Sequence, residues 1–139
     1  MNIYMISHMA TIELIVGPMF SGKSTELLRR CSTYKAIGKK VLVINSILDT
    51  RCGSEIQTHS KQTYSAIKVN TLREVSFDTV PHVIAIDEAQ FFPDLEYFVK
   101  AYEKYNIVIL IAGLDGDYKR NFFGHILKLV PIADAITKL

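Results

Sequence analysis

Cysteine is scarce in this chain: of 139 residues only Cys31 and Cys52 carry thiols. They form no CxxC pair and have no Cys/His metal spacing, so neither a disulfide framework nor an intact zinc site is indicated, and a reducing cytoplasm suits both. Cys31 falls on an apolar helical stripe and reads as core; Cys52 lies in a polar loop and reads as an exposed thiol. An excess of one charge is also missing. Sixteen basic residues against 14 acidic ones leave +2, mixed throughout, without the footprint of nucleic-acid or polybasic membrane binding. The first ten residues have neither a basic n-region nor a long apolar run, so they read as neither signal peptide nor membrane anchor. Their Ser7-His8-Met9 string resembles a cloning scar, and residues 1–10 are set apart as an N-terminal extension. There is no internal repeat and no low-complexity linker. With 49% hydrophobic content, residues 11–139 read as one domain, long enough to bury about two thirds of the unfolded chain's surface.

What is present centres on Gly17-Pro18-Met19-Phe20-Ser21-Gly22-Lys23-Ser24, which fits GxxxxGK[ST]. The apolar, β-branched run Thr11 to Val16 precedes it and the helix-like Thr25 to Ile37 follows, the strand, loop and helix context that the motif requires. Its glycines let backbone N–H groups form a nest at a helix N-terminus, where the dipole already favours an anion. Lys23, a cation in the helix's first turn, opposes that dipole by roughly 0.3 to 1 kcal/mol unless an anion sits between them. A polyphosphate removes the conflict, and Ser24 then offers a hydroxyl to Mg²⁺. Gly17 to Ser24 with Thr25 are therefore candidate cofactor-binding residues, and the cofactors implied are ATP and Mg²⁺. The plainer alternative is a glycine turn with a solvated lysine.

Leu27, Leu28, Cys31, Tyr34 and Ile37 recur at helical spacing, with Gly38 as a stop. Lys40 to Asn45 is a nearly continuous apolar run, the pattern of a strand covered on both faces. A loop is expected over Ser46 to His59, a weak strand pair within Gln62 to Val69, a short helix over Thr71 to Phe77 and a buried strand over Val80 to Ile86. Leu95, Phe98, Val99 and Tyr102 predict a helix with Pro93 at its first position and Asn106 closing it. Ile107 to Ala112 reads as a central strand. A short helix around Ile126 to Val130 and a strand over Ala133 to Leu139 complete the chain. The fold class is α/β: a parallel sheet with helices on both faces, of the P-loop NTPase (RecA-like) kind.

Ligands of such sheets bind at the strands' carboxyl ends. There the phosphate loop and Asp87-Glu88 are expected to meet across adjacent strands. Asp87, closing an apolar strand, is placed to hold Mg²⁺ with Ser24; Glu88, a second carboxylate, suits a general base for a water or an acceptor hydroxyl. A solvated acidic turn is the alternative.

GPMFSGKSTELLRR, DTR at Asp49 to Arg51, TH at Thr58-His59, IDEAQFFPD at Ile86 to Asp94 and GLDGDYKRNFFG at Gly113 to Gly124 together resemble the cytosolic, type II thymidine kinases, from about Thr11 to Leu139. The resemblance implies transfer of the ATP γ-phosphate to the 5′-hydroxyl of thymidine or deoxyuridine in nucleotide salvage, in the cytoplasm, by a homo-oligomer, a tetramer in the family. It implies Glu88 as catalytic base and Arg51 as the cation steadying the phosphoryl group. Lys23, Ser24 and Asp87 match the family's ATP and Mg²⁺ ligands. Met19, Phe91, Leu114, Tyr118 and Phe123 match the walls of a thymine pocket, with Gln90 at its rim and in the cofactor set. On residue type alone these aromatics read more readily as core than as a pocket. Tyr118 stands where the family commonly has Phe, and Phe122 where it often has Pro. His59, His82 and His125 share no ligand spacing and read as structural or exposed.

Family members continue past the TKL segment into a zinc-binding domain with two CxxC pairs and a lasso loop over the nucleoside, whereas this sequence stops at Leu139. The phosphate machinery is expected to be whole in this stretch and nucleoside capture weakened. Two other classes fit parts of the sequence. Asp87 to Gln90 resembles the DExx box of nucleic-acid-driven ATPases, which need a second domain and a basic track. A nucleotide-binding or oligomerising module without turnover would need only the phosphate loop.

Overall fold

A computed structural model of the chain describes residues 9–48, 55–57, 63–116 and 124–139. Its strands are β1 (Thr11–Val16), β2 (Val41–Ser46), β3 (Glu55–Gln57), β4 (Thr63–Ser65), β5 (Ile67–Val69), β6 (Val83–Ile86), β7 (Val108–Gly113) and β8 (Ala135–Lys138). The helices are α1 (Lys23–Ala36) and α2 (Leu95–Tyr102), with 3₁₀ turns at Leu72–Glu74, Ala89–Phe91 and Ile126–Ile132. Six strands form one sheet in the order β5-β2-β6-β7-β1-β8, every neighbouring pair parallel. β3 and β4 make a separate antiparallel pair.

The alternation of side chains along these strands builds two cores. Ile12, Leu14, Ile84, Ile86, Ile109 and Ile111 face one way and pack with Leu95, Phe98 and Val99 of α2 and with Leu72, Ile126 and Leu129 of the 3₁₀ turns. Ile15, Val43, Val83, Ala85, Leu110 and Ala112 face the other way, against Leu27, Leu28 and Cys31 of α1. Because both faces are covered, the strands read as unbroken apolar runs, and the expected parallel sheet with helices on both sides is what forms. Cys31 is fully buried, and burial pushes its thiol up to about 11. Cys52 and His59 lie outside the described residues. Among the described residues no helix is long and apolar enough to cross a membrane.

Several expected boundaries shift for identifiable reasons. The sixth strand begins at Val83, not Val80, because Pro81 has no N–H for the ladder; pairing resumes as His82 and Val83 donate to the Lys40 carbonyl. His82 Nδ1 also accepts the Lys40 N–H at 2.8 Å, so this exposed histidine is structural. Pro93 precedes α2 instead of entering it. Asp94 is the N-cap residue, its carbonyl accepting the Phe98 N–H, and the helix ends at Tyr102, before Asn106. The Asp94 carboxylate turns to the neighbouring segment and accepts the N–H groups of Leu72 and Arg73 at 3.1 and 3.0 Å. The short helix expected over Thr71 to Phe77 shrinks to one 3₁₀ turn, closed by reciprocal capping between Thr71 and Glu74. The one expected at Ile126 to Val130 is a 3₁₀ turn running to Ile132 with Pro131 inside. The Ser46 to His59 loop contains β3, which pairs with β4. Ile37 ends the α1 stripe 65% exposed, past the helix and next to Gly38, whose φ of +82° turns the chain away.

β7 lies between β1 and β6, so the phosphate loop and Asp87 do not end adjacent strands as expected. They meet because α1 starts at the end of β1 and packs across β7 and β6, carrying Ser24 over the intervening strand.

Candidate active site

The loop after β1 is held by close packing and unusual backbone. Gly17 is buried, and a Cβ there would lie 2.8 Å from Ser21 Oγ and 3.0 Å from the Leu139 carbonyl oxygen. Gly22, the residue before α1, has φ +89°, a conformation that disfavours any side chain. Phe20 adopts φ +64° without being glycine, a strained backbone of the kind that clusters at functional sites. Pro18, Met19, Phe20 and Thr25 are exposed. Lys23 is buried to 8% exposure, and its ammonium donates to the Pro18 carbonyl at 2.6 Å. Ser21 Oγ is buried without a hydrogen-bond partner. An orphaned hydroxyl beside a cation and a helix N-terminus fits a phosphate oxygen as its missing partner.

Ser24 Oγ donates to Asp87 Oδ2 at 2.9 Å. Asp87 is 2% exposed; its Oδ1 accepts the Glu88 N–H at 3.0 Å, and its own N–H donates to the Ile44 carbonyl. This hydroxyl and carboxylate are hard oxygen donors that suit Mg²⁺, which typically takes one or two carboxylates and completes its shell with phosphate oxygens and water. The expected meeting of Ser24 and Asp87 therefore exists in the fold.

Glu88 turns out of the strand direction, at φ +52° and ψ 44°, and is half-buried. Its Oε2 accepts from Gln90 Nε2 at 2.6 Å. Gln90, 5% exposed, accepts the Leu114 N–H on its Oε1 at 3.1 Å. Phe91 and Leu114 are half-buried, one next to Gln90 in the chain and the other joined to it by that bond. Arg51, Tyr118, Phe122 and Phe123 lie outside the described residues, as do the DTR and TH strings.

Sequence reasoning passed over three features near this site. Asn45 and Ser46 are fully buried polar residues at the end of β2, beside Asp87; Asn45 Oδ1 accepts the Ser46 N–H and Ser46 Oγ the Leu48 N–H. The signal was a polar pair closing an apolar run, the same signal that singled out Asp87. Arg30 of α1 donates to Glu26, to Glu13 of β1 and to Thr137 of β8, tying the helix that carries Lys23 and Ser24 to two strands. Hydrogen bonds from Arg29, against some desolvation and with help from Arg30, hold the Glu26 carboxyl down to about 2. Gly113 and Gly124, noted only as the ends of one string, both press on Gln90.

A family model described as Thymidine kinase matches residues 10–139. The cytosolic thymidine kinase of Cricetulus griseus is 43% identical over 129 residues, which cover 92% of this chain and 55% of that protein. The cytosolic thymidine kinase of Homo sapiens is 44% identical over the same shares. The thymidine kinase of Monkeypox virus is 41% identical over 92% of this chain and 73% of its own length. The chain thus spans about half the length of the mammalian relatives it matches.

Proposed function

This chain belongs to the thymidine kinase family, and on that premise we propose that it moves the γ-phosphoryl group of Mg-ATP to the 5′-hydroxyl of thymidine or deoxyuridine. The observation that carries the reading is the 2.9 Å contact between Ser24 and Asp87, residues 63 apart in sequence, with Glu88 next in the chain. Lys23 and the loop amides bind the β- and γ-phosphates, and the buried Ser21 hydroxyl faces the same anion. Ser24 and Asp87 hold the cation. Held there, Mg²⁺ would supply positive charge against the negative charge that builds during transfer. Glu88, the half-buried carboxylate next in the chain to Asp87, accepts the proton of the attacking hydroxyl.

Arg51 is the further cation proposed for the transferring group. Met19, Phe91, Leu114, Tyr118 and Phe123 are proposed as the faces against which a flat, apolar nucleobase packs. The cytosolic names of the two mammalian relatives support work in the cytoplasm, and a homo-oligomer is proposed from the family resemblance alone.

Glu88→Gln tests the central assignment, since it keeps the shape and removes the proton acceptor. We expect kcat to fall by about 10² to 10⁴ with Mg-ATP affinity little changed. Collapse of ATP binding at an intact kcat would make Glu88 a metal or structural ligand instead.

A further inference from the structure

We infer that Gln90 is a positioning residue, whose carboxamide sets the direction of the Glu88 carboxylate and links it to the end of β7. The inference rests on the reading of Glu88 as the base and deepens it.

Glu88 leaves the strand in a left-handed conformation, so the pleat of β6 does not dictate where its flexible side chain points. Gln90 Nε2, 2.6 Å from Glu88 Oε2, supplies a direction. The carboxamide cannot be reversed: a carboxylate only accepts and a backbone N–H only donates, so the amide nitrogen must face Glu88 and the amide oxygen must face Leu114. Nor can it drift. A Cβ at position 113 would lie 2.6 Å from Gln90 Oε1 and within 3.3 Å of the Ala89 and Gln90 nitrogens. A Cβ at position 124 would lie 2.5 Å from the Gln90 carbonyl oxygen and 2.9 Å from its Cα, at a φ of +70° that already favours glycine. Three segments, the turn after β6, the end of β7 and Gly124, close on one buried side chain. The two glycines leave it room, and it transmits their placement to the carboxylate that takes the proton.

A residue acting only through Glu88 must lose its effect when that carboxylate is gone. The test measures kcat, KM for ATP and Mg-ATP affinity in the full-length protein for Gln90→Ala, Glu88→Gln, the double variant and Gly113→Ala. We expect Gln90→Ala to lower kcat at least about tenfold with KM for ATP within about threefold, and Gly113→Ala to move kcat the same way. On the Glu88→Gln background the added Gln90→Ala should change kcat less than about twofold, the non-additivity of groups that act as one unit. Gln90→Met fills the same volume without the amide and replaces the alanine variant if that one does not fold. Rate losses that multiply in the double variant, a loss confined to KM for ATP, or an unchanged kcat in Gln90→Ala would overturn the positioning role while leaving the base assignment standing. An unchanged kcat in Glu88→Gln alone would overturn the base assignment, and this inference with it.

Discussion

Lys23 sits in the first turn of α1 with its ammonium 2.6 Å from the Pro18 carbonyl, a cation at the positive end of a helix dipole. The carbonyl meets part of its need for a negative partner, and a polyphosphate would meet it better. Lys23→Ala should weaken Mg-ATP by about 10- to 100-fold, the worth of a charge-assisted hydrogen bond of about 1.5 to 3 kcal/mol, while thermal stability holds or rises slightly as the dipole conflict disappears. Calorimetric titration and a melting curve on the same sample check both halves; unchanged ATP affinity would sink the phosphate-loop assignment. At this scale the sequence is most legible where a residue type is rare in its surroundings. Lys23 and Ser24 stand out through the GxxxxGK[ST] spacing, and Asp87 and Glu88 because two carboxylates close an apolar run. The bond from Gln90 to Leu114 does not, since 24 residues separate the partners and nothing local announces that they meet.

α2 and the 3₁₀ turn at Leu72–Glu74 are joined by one carboxylate, Asp94, which accepts two backbone N–H groups from the turn. Asp94→Ala leaves both without that partner. It should destabilise the protein by about 1 to 3 kcal/mol, at the low end because the Arg73 side of the contact is exposed; denaturant unfolding measures it, and a change below about 0.5 kcal/mol would show that water replaces the carboxylate.

α1 carries a second, pH-dependent link through Glu26, Arg29 and Arg30. The folded carboxyl titrates near 2 against an ordinary 4.5, so its contribution is full above pH 4.5 and disappears as pH falls towards 2. Arg29 is 65% exposed, so the effect is modest and weakens with salt. Glu26→Gln should flatten the unfolding midpoint between pH 4.5 and 2 and leave its course above pH 5 unchanged; an unaltered acid slope would place the acid sensitivity elsewhere.

Elements were legible where burial is two-sided, as in β1, β2, β6 and β7, and in α1 and α2, whose apolar spacing survives into the core. They were misjudged where the backbone, not the pattern, decides: Pro81 starts β6 late and Pro131 lies in a 3₁₀ turn. β3 was invisible because Glu55, Ile56 and Gln57 offer a single apolar residue, too short a stretch for an alternation to show.

For the whole molecule, the parallel sheet brings every strand's carboxyl end to one edge, and the candidate site lies along it. Strand order was beyond the sequence: alternating strands and helices specify a parallel sheet but not that β7 separates β1 from β6. Parallel pairing of β7 to both neighbours sets the distance that α1 must cross, so the Ser24–Asp87 contact reports on the global topology as much as on the motif. The central claim, that this edge passes a phosphoryl group to a nucleoside and not to water, is tested most directly by following the γ-phosphate of Mg-ATP. Parallel reactions of the full-length protein would contain thymidine, deoxycytidine, single-stranded DNA or water alone. The account predicts ADP and thymidine 5′-monophosphate in equal amounts with thymidine, little product with deoxycytidine, and slow hydrolysis that single strands do not accelerate. Hydrolysis stimulated by single-stranded DNA, or bound Mg-ATP with no transfer to thymidine, would contradict it.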